Sequence, residues 1–65
     1  MTEYVARYKS SVIVGSSLPR NFVKFYTFNT DVEMFDEAKD QLNSYNIDNV
    51  NEVWTVEIFK LEKIF

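Results

Sequence analysis

The sequence predicts one α+β domain: a three-stranded sheet, antiparallel or mixed, in order 2-1-3, with a single helix on one face. Three observations carry this expectation. Apolar residues alternate with period two in three separate stretches. Another stretch repeats them at helical spacing and opens on a capping sequence. The only glycine and the only proline fall together in "GSSLPRN", residues 15–21, between the first two alternating stretches.

The first strand is "EYVARYKSSVIVGS". Tyr4, Ala6, Tyr8, Ser10, Val12 and Val14 fall on one face, with Val5, Arg7, Lys9, Ser11 and Ile13 on the other. The Ser10–Ser11 pair reads as a bulge in one bent strand, because neither residue readily takes the positive φ of a tight hairpin turn. Gly15 and Pro19 then break the strand. The second strand spans about 22–29, "FVKFYTFN", with Phe22, Lys24, Tyr26 and Phe28 opposite Val23, Phe25 and Thr27.

The helix is "NTDVEMFDEAKDQLNSY". Thr30 and Glu33 have capping-box spacing, with Asp31 as the rival cap. Phe35, Ala38, Leu42 and Tyr45 form the expected buried stripe, with Met34 beside it. The asparagines of "NSYNIDNVN" predict fraying near Ser44. The third strand is "EVWTVEIFKLEKIF", with Trp54, Val56 and Ile58 opposite Val53, Thr55, Glu57, Phe59 and Leu61. A short connection makes the first two strands antiparallel, and the helical crossover returns the third parallel to the second. The first strand is therefore central. Small Ala6 leaves room for the helix, so the Tyr4–Ala6–Tyr8 face is expected to be the covered one.

One helix covers one side of a sheet. The other side is expected to show an apolar patch that takes a partner, with Val5, Arg7, Val23, Phe25, Phe59 and Leu61 as its binding residues. Phe25 and Phe59 are the strongest candidates. A homodimer through this face is the simplest arrangement, because two-fold symmetry lets one patch meet itself. The competing expectation is that the terminal "LEKIF" folds back over it. A second candidate surface is the acidic helix face, Glu33, Asp36, Glu37 and Asp40, which would imitate a row of phosphates in a basic groove. Its plainer reading is a solvated outer face with acids placed for the helix dipole.

Composition excludes much else. With no histidine and no cysteine, zinc and copper sites, disulfides and the commonest general base all drop out. The helix acids lack the Gly turn and alternating oxygens of a calcium loop. "GSSLPRN" has one glycine and precedes a strand, whereas a phosphate cradle needs several glycines and a helix amino terminus. Arg20 is left as a contact for an acidic partner. No enzyme activity, cofactor or metal is expected. A net charge of −3 disfavours nucleic acid, and single-strand binding on the sheet aromatics is a minor alternative. No membrane span or signal sequence is apparent, so the expectation is a cytoplasmic protein. Phe, Tyr, Asn, Ile and Lys number 25 against 6 for Gly, Ala, Arg and Pro, which points to an AT-rich genome such as that of a low-GC bacterium or its phage.

"FYTFNTDVEMFDEAKDQL" followed by "EVWTVEIFKL" resembles, in layout, the small phage proteins that inhibit host enzymes, among them inhibitors of RNA polymerase and of uracil-DNA glycosylase. The likeness covers roughly residues 22–61, carries over no functional residue, and implies a class: early phage proteins that bind and redirect a host protein in the host cytoplasm. The alternative is a structural homo-oligomer, such as a virion or accessory component.

Overall fold

The computed structural model describes residues 1–12 and 19–62. Ile13, Val14, Gly15–Leu18 and the last three residues of "LEKIF" lie outside them. Three strands, β1 (Thr2–Val12), β2 (Asn21–Phe28) and β3 (Glu52–Leu61), and one helix, α1 (Asp31–Asp48), follow in the order β1-β2-α1-β3. The sheet order is β2-β1-β3, and both neighbouring pairs are antiparallel.

The register runs unbroken along β1, from Thr2 opposite Phe28 to Lys9 opposite Asn21, and from Glu3 opposite Leu61 to Val12 opposite Glu52. No bulge interrupts it at Ser10–Ser11, contrary to the sequence reading. Ser10 is buried and bonds twice to Arg20: its N–H donates to the Arg20 carbonyl at 2.9 Å, and its Oγ accepts from the Arg20 N–H at 2.7 Å. A small hydroxyl residue thus extends the β1–β2 ladder instead of kinking it.

Helix α1 lies on the Tyr4–Ala6–Tyr8 face, as the periodicity predicts. Those residues, Met34, Ala38 and Trp54 are buried, and Tyr26, Phe28, Leu42, Tyr45, Val56 and Ile58 pack around them. Thr30 is the N-cap: its Oγ1 accepts from the Glu33 N–H and its hydroxyl donates to Glu33 Oε1, both at 3.2 Å. Asp31, the rival cap, is the first helical residue. It accepts from the Tyr4 hydroxyl and pairs with Lys60 at 3.1 Å, tying the helix start to β1 and β3.

Two details of the helix differ from the sequence reading. Met34 is fully buried over the sheet, whereas Phe35 is 55% exposed on the β3 flank beside Tyr4, Ile58 and Lys60. The helix also passes Ser44, runs to Asp48 and is capped by Asn49, whose N–H and side-chain amide both donate to the Tyr45 carbonyl. Asn46 Oδ1 accepts the Trp54 N–H at 2.8 Å, so tertiary bonds hold a segment that local propensity disfavours.

Trp54 anchors this end. Its ring stacks on Tyr45 at 4.6 Å and on Phe22 at 5.7 Å, with the Arg20 guanidinium 5.2 Å from its centroid. The indole Nε1 is buried without an acceptor among the described residues, so ring burial rather than a hydrogen bond makes its contribution.

Candidate functional site

The sheet face away from α1 carries the candidate site. Alternation places Val5, Arg7 and Lys9 of β1 there, flanked by Val23, Phe25 and Thr27 of β2 and by Val53, Thr55, Glu57, Phe59 and Leu61 of β3. The register arranges them in rows across all three strands. Phe25, Val5 and Phe59 form one row; Val23, Arg7 and Glu57 form the next. The first row is apolar and, among the described residues, uncovered, with Phe25 74% exposed and Phe59 48% exposed. Val23, Leu61 and Val53 are also exposed.

Between Val23 and Phe59 lies a shallow depression of about 460 Å³, lined by Val5, Arg7, Val23, Phe59 and Leu61. Five of the six sheet residues expected to bind a partner therefore meet at one concavity, and the sixth, Phe25, stands at its rim across from Val5. This depression is open and mainly apolar.

A charged band borders the apolar row. Glu57 accepts from Arg7 at 2.8 Å and from Lys9 at 3.1 Å. The Arg7 guanidinium, with Lys9 assisting, holds the Glu57 carboxyl below the ordinary carboxylate range. Sequence inspection finds these three residues but not their pairing, which requires the β1–β3 register. Exposed pairs of this kind add little stability. Their effect is to make the open face neutral: Glu3 and Glu57 balance Arg7 and Lys9 in a chain of net charge −3.

The second candidate surface sits on the opposite side of the molecule. Glu33, Asp36 and Asp40 are exposed on the helix, whereas Glu37 is half-buried at the flank of the Met34–Ala38 stripe, near Tyr8 of the sheet. Glu33 already serves the cap. No metal-ligating cluster occurs among the described residues. Arg20 is not a free contact: it pairs with Glu52 at 3.1 Å and donates to Asn49 at 2.7 Å. The part of "GSSLPRN" that is described, Pro19–Asn21, serves as a junction into β2.

The ion pairs set an acid dependence. The Tyr4 hydroxyl, then Lys60, lowers the Asp31 carboxyl, as Arg7 and Lys9 lower Glu57. A carboxyl whose folded pKa lies below its unfolded value stabilises the fold above that unfolded value, and the stabilisation is lost as pH falls through the folded one. The melting temperature is therefore expected to fall as pH drops from about 5 towards about 3. Asp31→Asn should lower it at neutral pH and flatten that slope, as followed by circular dichroism. An unchanged slope in this variant would show that Asp31 has no part in it.

No helix is long and apolar enough to cross a membrane among the described residues. Compared with known proteins, the chain matches no family model, no curated protein and no solved structure.

Proposed function

We propose that this protein is a small non-catalytic binding module that captures another protein on its open sheet face, in the manner of phage proteins that inhibit or redirect a host protein in the host cytoplasm. The observation that carries this reading is the uncovered row Phe25–Val5–Phe59, with its depression and neutral charged border. Phe25 and Phe59 flank Val5 in one apolar row, and large aromatic side chains left exposed on a sheet gain most when a partner removes them from water. The absence of histidine and cysteine supports a role in binding rather than catalysis.

The partner expected is a folded protein presenting an apolar patch with mixed charges at its border. Affinity capture from the lysate of a low-GC bacterium is the test. Phe25→Ser with Phe59→Ser should remove the captured protein and leave the far-ultraviolet spectrum unchanged, because both side chains lie outside the core. Undiminished capture by that variant would sink the reading. Charge reversal at Asp36 and Asp40 should leave capture intact; if it abolished capture, the helix face would be the phosphate-imitating surface instead. A homodimer formed face to face is the second reading. Neutrality favours it, since two such faces meet while both acidic helices stay outside.

A further inference from the structure

The two outer edges of the sheet are unlike. The Ser10 N–H donates to the Arg20 carbonyl, so the even-numbered residues of β1 turn their backbone groups toward β2. Antiparallel alternation then directs the N–H and C=O groups of Asn21, Val23, Phe25 and Thr27 outward from the sheet. None of these groups has a partner among the described residues. On β3 the outward set is Trp54, Val56, Ile58 and Lys60, and the Trp54 N–H is already taken by Asn46.

Side chains sharpen the contrast. β3 carries Glu52, Glu57 and Lys60, whereas β2 carries Lys24 alone among three phenylalanines, a tyrosine and a valine. Charge, proline, bulges and covering segments are the usual means of blunting an exposed edge. Within β2 there is no proline and its register shows no bulge. It is a regular eight-residue edge strand.

We propose that two copies of this chain join along the outer edges of β2, antiparallel about a two-fold axis at Phe25, forming one six-stranded sheet. In that register Phe25 meets Phe25 of the second copy, Val23 meets Thr27, and Phe22 meets Phe28. About six new backbone hydrogen bonds form, from the hydrogen-bonded pairs of Val23, Phe25 and Thr27. Shifting the axis to Lys24 would set Lys24 against itself at the close spacing of a non-hydrogen-bonded pair, which like charges oppose. With the axis at Phe25, Lys24 faces Tyr26 instead. The helices do not collide. The two β1 strands lie three strand spacings apart, about 14 Å, whereas packed helices need about 8–10 Å. Both open faces then point the same way, so the row Phe25–Val5–Phe59 continues into its copy and the surface assigned above to a partner is doubled rather than used up.

The test uses purified chain and needs no partner, so its outcome is separable from the capture experiment. Light scattering at about 100 μM should report twice the 7.7 kDa chain mass, as a micromolar Kd requires. Val23→Pro deletes an N–H that points away from β1, a position where an edge strand tolerates proline. It should weaken the dimer at least about tenfold while the circular dichroism spectrum stays that of the wild type. Because the chain has no cysteine, one introduced thiol reports a single contact. Phe25→Cys places its two copies about 5.5 Å apart at Cα, within disulfide reach, and should oxidise to a covalent dimer. Lys24→Cys and the collision control Thr55→Cys should not. A monomeric wild type, or F25C linking no faster than T55C, would overturn the proposal, and K24C linking in its place would overturn the register.

Discussion

Replacing Trp54 with alanine is expected to leave the chain largely unfolded at room temperature. The ring is 2% exposed and meets three side chains at once: Tyr45 of α1, Phe22 of β2, and Arg20 just before β2. Truncating a buried tryptophan costs about 3–5 kcal/mol. A chain of 65 residues has about 3–10 kcal/mol in total. With no disulfide to hold the remainder, the loss consumes much of the stability. Urea titration followed by circular dichroism at the helix band is the measurement, since the only tryptophan is gone from the variant. A loss below about 1 kcal/mol would mean that the aromatic stack is not what fixes the end of α1 to the sheet.

The second large effect concerns which way α1 is turned. Met34→Ala should cost about 2–5 kcal/mol, because Met34 is fully buried against the sheet and its removal opens a cavity. Met34→Leu, close in volume, should cost less than about 1.5 kcal/mol. Phe35→Ala should cost less than Met34→Ala, although phenylalanine is the larger residue, because more than half of Phe35 is already in water. Paired thermal or urea melts decide it. If Phe35→Ala proved the more damaging, the helix would present a different side to β1.

That comparison marks where sequence reading stops. The strands were legible because period two survives any modest error in their ends, and Tyr4, Ala6 and Tyr8 form the covered row as expected. Helix rotation is a finer question. Phe35 and Met34 are adjacent, and hydropathy favours the larger ring, but Ala38, Leu42 and Tyr45 suit either choice. Tertiary fit selects the flexible methionine, which is fully buried in one cluster with Ala6 and Ala38. The asparagine-rich end misled for a related reason: Asn46 finds its partner eight residues on, at Trp54, where local propensity has no reach. Arg20 likewise meets Asn49 and Glu52 from 29 and 32 residues away.

The open face was legible as a set of residues, not as an arrangement. Alternation assigns Val5, Phe25 and Phe59 to one side, but only the register puts them in a single row and brings Glu57 between Arg7 and Lys9. No motif in the sequence names what this row meets. Apolar contact is chemistry that many surfaces satisfy, so under the proposed binding role specificity would come from the shape and charge around the row.

The Asn46 side chain, which receives the Trp54 N–H, also bears on how large an assembly can grow. A ribbon protein attractive at both margins adds subunits head to tail without end and becomes a fibre. Here one margin is occupied at its start by the protein's own helix and is studded with ionised groups, so only the opposite margin is sticky. In the proposed edge-to-edge pairing, joining like to like uses that margin up, and growth would halt at a finite particle.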